Sequence, residues 1–204
     1  MEKKEVYEKL EWSKIHQVAW DTAKKVIESG YKPDVIVGIS RGGLVPAKLL
    51  SDFLQIKDVL TVKADHWGIT ATQDKKAHLA YGLDTDLSGK KVLLVDDVTK
   101  TGESMKLSKM HIEEKKPKSI KTAVLYHMRD SDYEPNFYGA ITHSDWIIFP
   151  WNYREDIVNL ITLITKDKGM SIKRIKQEMQ SRYGLEVSMQ ELKQVLDSVE
   201  YIRK

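Results

Sequence analysis

The chain has no cysteine. Disulfides and thiolate metal sites are therefore excluded. Long apolar runs are missing as well: none reaches the roughly 20 residues that a membrane-spanning helix needs. Charge of one sign is also lacking. The formal net charge is +3, from 33 basic and 30 acidic residues, too small a surplus to argue by itself for a nucleic-acid partner. The opening MEKKEVYEKLEW is charged where a secretory signal is apolar. These absences lead us to expect a cytoplasmic protein with neither a membrane nor a nucleic-acid partner. What remains is 204 residues, 41% hydrophobic and 31% charged. That is enough for one well-cored domain and a small appendage.

The most informative stretch is VLLVDDVTKTGES, Val92 to Ser104. Val92 to Val95 form an apolar run too short for a helix and suited to a buried parallel strand. Asp96 and Asp97 follow at its carboxyl end, where open α/β sheets place ligands. Thr99 to Ser104 then turn the chain into a helix. Successive backbone N–H groups and the positive end of the helix dipole make such a turn a phosphate pocket. Gly102 removes a side chain where an anion approaches closely. Adjacent carboxylates beside such a pocket repel the same anion unless a cation intervenes, so they serve chemistry better than stability.

A second strand is expected at VIVGIS, residues 35 to 40, followed by Ser40-Arg41-Gly42-Gly43 and a helix through Leu54. A guanidinium forks onto phosphate oxygens, and glycines let backbone N–H groups approach them. An amphipathic helix precedes this strand, with Ile15, Val18, Ala19, Thr22, Val26 and Ile27 at helical spacing and Gly30 as its stop. Val59 to Lys63 suit a third strand. From Ala64 to Leu87 the pattern dissolves into what reads as a long loop, and long loops are often lids. Strand Ile120–Leu125 is followed by another long loop, then by WIIFPW from Trp146.

The order apolar run, Asp-Asp, threonine-rich loop, glycine and serine resembles the fingerprint by which type I phosphoribosyltransferases bind phosphoribosyl pyrophosphate (PRPP). The resemblance covers roughly residues 30 to 153. It implies an α/β fold: a central, mainly parallel sheet flanked by helices, with a flexible hood at about residues 64 to 87. It also implies roles for named residues. Asp96, Asp97 and Arg41 would be catalytic. Thr99, Lys100, Thr101, Gly102, Glu103 and Ser104 would hold the 5′-phosphate. Ser40, Arg41 and Gly42 would grip pyrophosphate, with Arg154 as a further contact. Mg²⁺ would arrive with the substrate, touching Asp96 and Asp97 through water rather than sitting in a protein cage. Lys63, Lys75 and Lys76 of the hood could meet phosphate oxygens, and His66 and His78 are weaker candidates.

In the purine enzymes of this family an aromatic ring stacks on the base and the next residue's backbone reads its edge. By position these are Trp146 and Ile147. Enzymes for 6-oxopurines also carry an acid where this chain has Lys100, and a lysine where it has His127 or Met128. A lysine donor suits a carbonyl oxygen and suits the amino group of adenine poorly. Both departures favour adenine, with AMP as product; the alternative is hypoxanthine, guanine or xanthine, with His127 donating to O6.

Residues 154 to 204 differ in kind from the rest. They read as helices at about Glu155–Thr165, Ser171–Arg182 and Ser188–Val199. Ser171 and Ser188 are N-caps, Gly169 and Gly184 are breaks, and Glu191 completes a capping box with Ser188. Such a three-helix bundle resembles the tail of some archaeal purine enzymes of the family. We therefore expect two domains, 1–153 and 154–204, and a homodimer as is usual there. The helix-turn-helix look raises a distant alternative, a PRPP-sensing transcription regulator, but the tail shows no one-sided basic stripe.

Overall fold

The computed structural model of the protein describes residues 6–67, 73–165 and 169–202. Its chain divides into two compact units, one of residues 12–66 and 74–143, the other of residues 1–11, 67–73 and 144–204.

The larger unit is built on a six-stranded sheet. In chain order its elements are α1 (Trp12–Glu28), β2 (Val35–Ser40), α2 (Leu44–Leu54), β3 (Val59–Trp67), β4 (Gln73–Tyr81), β5 (Lys91–Thr99), α3 (Glu103–Glu113), β6 (Ser119–Met128) and β7 (Phe137–Thr142). A short strand, β1 (Tyr7–Lys9), precedes them and belongs to the other unit. The spatial order is β4-β3-β2-β5-β6-β7. The pairs β2·β3, β2·β5, β5·β6 and β6·β7 are all parallel.

Alternation along the strands decides which helix each side chain meets. Ile36, Leu93, Val95 and Ala123 pack with Ala23 and Val26 of α1 and Ala47 and Leu50 of α2. Val35, Val37, Ile39, Val92, Leu94 and Val124 pack on the other face with Met105 and Ile112 of α3. Burial on both faces is why these strands read as unbroken apolar runs. Each fully buried Val, Leu or Ile contributes about 1.5–3 kcal/mol over its exposed state. Gly139 lets α1 sit close on β7: a Cβ there would stand 2.6 Å from Val18 Cγ1 and 2.7 Å from Thr22 Oγ1.

Three elements differ from the sequence reading. Most of the expected hood is strand: β3 runs on to Trp67, and β4 occupies Gln73–Tyr81. The expected loop before Trp146 contains β7. Strand β5 does not end before its acids but continues through them to Thr99, because backbone pairing goes on, Asp96 beside Val124 and Thr99 beside His127.

The smaller unit contains β1, β8 (Trp146–Ile148), α4 (Tyr153–Thr165), α5 (Ile172–Tyr183) and α6 (Met189–Ile202). Strands β1 and β8 pair in parallel, Tyr7 beside Trp146 and Lys9 beside Ile148. Its core joins Tyr7 and Ile148 to Ile157, Leu160, Ile161 and Ile164 of α4, Ile175 and Met179 of α5, and Leu192 and Val195 of α6. The unit that holds the three helices thus begins at Ser144 and takes in the first strand, where the sequence suggested a division at 153/154. The physical reason is the β1·β8 pairing, which ties Trp146–Ile148 to that core.

Its helix ends follow capping chemistry. Ser171 Oγ accepts the Arg174 N–H, and Gly184 adopts φ +69° at the end of α5. Ser188 and Glu191 form a reciprocal box, with distances of 2.7 and 3.1 Å. Glu191 Oε1 also accepts from Lys9 Nζ and from the Tyr153 hydroxyl, each at 3.0 Å. Burial pushes the Glu191 carboxyl up, but these donors outweigh it and hold it down at about 2. No helix among the described residues is long and apolar enough to cross a membrane.

Candidate active site

The strand order locates the site before any side chain is considered. From β2 the chain crosses to β3 on one side, while β5, β6 and β7 run off on the other. The crevice at such a reversal, outside the carboxyl ends of the strands, is where open α/β sheets bind ligands. Here it lies between the ends of β2 and β5. Those ends carry Ser40-Arg41-Gly42-Gly43 and Asp96-Asp97-Val98-Thr99.

The turn after β2 is tight. Gly43 N–H donates to Ile39 O at 2.8 Å and Leu44 N–H to Arg41 O at 3.2 Å, and the Ser40–Arg41 peptide is cis. Gly43 leaves no room for a side chain: a Cβ would come within 2.8 Å of Ile39 O and would strike Val95 O. Gly42 faces Asp97, and a Cβ on it would lie 2.6 Å from the Asp97 Cγ. Arg41 is exposed at this turn. Ser40 Oγ bonds Thr61 Oγ1 on β3, and Lys63, paired with Ser40 in register, lies over the Tyr81 ring at 5.7 Å.

The two acids are consecutive residues near the end of β5. Asp97 is 8% exposed and accepts the Val98 N–H at 2.7 Å. Asp96 accepts the Asp97 N–H at 3.0 Å. Burial, and then the charge of Asp97, push the Asp96 carboxyl well above the usual range, and the Asp97 N–H offsets this only in part. A raised carboxyl beside a second carboxylate forms a site for hydroxyl donors or a hydrated cation. Among the described residues no group of three or more His, Asp or Glu side chains could cage a metal.

Beyond the acids the chain makes the expected turn into a helix. Gly102 stands at the N-cap of α3 with φ +74°, a left-handed conformation that suits glycine. The first turn of α3 presents Glu103 and Ser104, and Glu103 reaches Lys106 at 3.9 Å. The Thr99 side chain has a partner on β6. It is 2% exposed, and its hydroxyl bonds His127 Nδ1 at 2.9 Å. It therefore addresses β6 as well as the turn it opens. His127 is itself 5% exposed, with Nε2 3.1 Å from Glu134 Oε2. Tyr133, next to Glu134, covers Gly102: a Cβ there would stand 2.8 Å from the Tyr133 Cγ. Tyr133, Glu134 and these contacts are absent from the sequence reading; the only signal for them is their distance ahead of Asn136 and β7.

The remaining candidates lie on other elements. Trp146 and Ile147 belong to the smaller unit. The Trp146 indole N–H donates to Asp156 Oδ1 at 3.2 Å, and its ring packs on the helical core; Ile147 is 5% exposed. Arg154 donates to Gln194 O at 2.9 Å. The side chains of His66, Lys75 and Lys76 lie outside the described residues, and His78 is exposed.

An acid pair and a glycine-containing turn thus stand at the reversal point of a doubly wound sheet, where such folds bind their ligands. A family profile described as "Phosphoribosyl transferase domain" matches residues 8–157, and the chain belongs to that family, with the type I phosphoribosyltransferase fold. Among curated relatives, a xanthine-guanine phosphoribosyltransferase of Idiomarina loihiensis is 28% identical over 144 residues, 70% of this chain and 85% of that one. A hypoxanthine-guanine phosphoribosyltransferase of Aquifex aeolicus is 33% identical over 122 residues, 56% of this chain and 68% of its own length. Among solved structures, a purine phosphoribosyltransferase from Pyrococcus horikoshii superposes with a TM-score of 0.61 at 31% identity, covering 73% of this chain and 94% of that one.

Proposed function

We propose that this protein is a purine phosphoribosyltransferase acting on a 6-oxopurine: guanine, xanthine or hypoxanthine. The observation that carries the transferase reading is the seat of Asp97 on Gly42, which joins the exits of β2 and β5 into one floor. The base class is supported by the relatives, whose names are those of xanthine, guanine and hypoxanthine enzymes. The absence of an acid at Lys100 and of a lysine at His127 or Met128 favours adenine, and the names of the relatives favour the 6-oxopurines, the class we propose. His127 already engages Thr99 through Nδ1 and Glu134 through Nε2, so both of its ring nitrogens are engaged without the purine.

In the reaction the bond from C1 of the ribose to pyrophosphate breaks as a ring nitrogen of the purine forms the new C–N bond, and the proton of that nitrogen leaves with the departing pyrophosphate or passes to water. Positive charge grows on the ribose while the leaving group carries negative charge away, so the site must stabilise both. The amides of the turn from Lys100 to Ser104, with the N-terminus of α3, hold the 5′-phosphate. Asp96 and Asp97 accept hydrogen bonds from the ribose hydroxyls and fix the ring. Arg41 and the amides of Gly42 and Gly43 hold pyrophosphate. The acid pair fits a Mg²⁺ that comes with PRPP: burial lifts Asp96 most, the Asp97 charge adds to it, and a cation would offset that second part. When bound, Mg²⁺ neutralises charge on the departing oxygens.

The test is to supply PRPP, Mg²⁺ and each purine separately and to separate the products. GMP, XMP or IMP is the expected outcome. AMP alone would overturn the base class, and no nucleotide from any purine would overturn the transferase reading.

A further inference from the structure

The phosphate turn is gripped from behind at both of its ends by one short segment. At its start, Thr99 Oγ1 bonds His127 Nδ1 at 2.9 Å, and His127 Nε2 meets Glu134 at 3.1 Å. At its end, Tyr133 lies against the Cα of Gly102, the N-cap of α3. Tyr133 and Glu134 are consecutive, so both grips come from a single stretch of chain.

That stretch is itself held in shape. Ser131 N–H donates to Met128 O at 3.0 Å, and Ser131 Oγ bonds the Tyr133 backbone at 3.2 Å. Asn136 Oδ1 accepts the Thr122 N–H at 2.9 Å, and the Asn136 N–H donates to Thr122 Oγ1 at 3.1 Å. The His127 ring is buried beside Tyr138, with centroids 5.1 Å apart. Register explains how the histidine finds its target: β5 and β6 pair Thr99 with His127.

The hydrogen bonds have a direction. A carboxylate only accepts, so Glu134 requires a proton on His127 Nε2. In the neutral ring Nδ1 is then an acceptor, and the Thr99 hydroxyl must donate to it. The carboxylate sets the tautomer, the tautomer sets the rotamer of Thr99, and Thr99 begins the turn that cups the phosphate. A buried imidazole satisfied on both nitrogens can hold a neighbour in one orientation, whereas a half-satisfied one is destabilising.

We propose that His127, with Glu134 and Tyr133, positions the phosphate turn for PRPP, and that His127 does not read the purine. This inference rests on the transferase reading of the cradle. None of the three residues touches substrate; they act through Thr99 and Gly102. Their effect falls on the phosphorylated sugar and leaves the base untouched.

The test is steady-state kinetics with PRPP and the base varied separately, alongside calorimetric titration of Mg²⁺·PRPP. His127→Leu should raise KM for PRPP about tenfold, the ratio that corresponds to losing one well-made buried hydrogen bond, with KM for the base within about twofold. His127→Asn, which can still bond Thr99, should recover most of the loss. In a Thr99→Val background His127→Leu should add little, because the bond is already gone. Glu134 is 72% exposed in its side chain, so Glu134→Ala removes the acceptor without endangering the fold and should raise KM for PRPP severalfold, while Glu134→Gln, whose amide oxygen still accepts, should recover most of the loss. An unchanged KM for PRPP in both His127→Leu and Glu134→Ala overturns the proposal. So does a rise confined to KM for the base, which would return His127 to the purine. If the parent protein fails to bind PRPP at all, the transferase reading falls first and takes the inference with it.

Discussion

The Asp97 carboxylate rests on the bare Cα of Gly42, so that any Cβ at position 42 would come within 2.6 Å of the Asp97 Cγ. Gly42 lies just past the end of β2 and Asp97 near the end of β5, so their contact fixes the spacing of the two strand exits.

Gly42→Ala should therefore damage catalysis more than folding. The added methyl pushes the carboxylate off its position, and overpacking of this kind costs about 1–3 kcal/mol. We expect kcat/KM for PRPP to fall at least about tenfold, with the thermal midpoint lowered by only a few degrees. Kinetics and thermal unfolding on the same preparation check both parts.

Asp96→Asn should separate function from stability. The Asp96 carboxyl is raised by burial and by Asp97, so the folded protein holds that proton more tightly than the unfolded chain does. Stability is then lost as pH rises through the interval between the two values. Asparagine cannot ionise and escapes the loss. The variant should unfold at a higher temperature than its parent at pH 7, the gain should vanish below the ordinary aspartate range, and transferase activity should be largely abolished. A variant less stable than its parent at pH 7 would contradict this account.

Gly102→Ala meets two obstacles at once. A left-handed residue with a side chain costs about 1 kcal/mol, and the methyl collides with Tyr133. KM for PRPP should rise while KM for the base holds. In a Tyr133→Ala background the same substitution should do less harm, since only the backbone part remains; equal harm in both backgrounds would show that Tyr133 does not matter there.

Glu191→Ala addresses the smaller unit. It removes the partner of Ser188, Lys9 and Tyr153 together. Losing a cap of this kind costs about 0.5–2 kcal/mol. The native carboxyl lies near 2, below its ordinary value of 4.5, so its contribution is complete above the ordinary value and lost as pH falls toward 2. Hydrogen exchange should show α6 opening more readily in the variant at pH 7, and the difference from the parent should shrink in acid.

Legibility followed locality. The strand at 35–40, the turn glycines at 42, 43 and 102, and the caps at Ser171, Gly184 and Ser188 depend on neighbours a few residues away, and all could be read in advance. Strand β4, QDKKAHLAY, carries too much charge to show a strand period. Strand β1 is stabilised by a partner far along the chain, Tyr7 beside Trp146, and no local pattern announces such a pairing. The acid pair was visible as chemistry, yet its place inside a strand was not, because carboxylates interrupt the apolar run while the backbone ladder continues beneath them. His127 was visible as a residue but was read toward the base. Its true neighbours come from the β5·β6 register and from a segment without periodicity.

The pairing of Tyr7–Lys9 with Trp146–Ile148 bears on how the polypeptide matures as it leaves the ribosome. Residues 12 to 143 can complete their large sheet while translation is still under way. The early strand must wait, unpartnered, until Ile148 has emerged, and its surrounding core waits longer, for Val195. Any stall in that interval exposes Tyr7 and a bare strand edge to whatever else is nascent nearby, which makes this the stage at which a holdase would matter most.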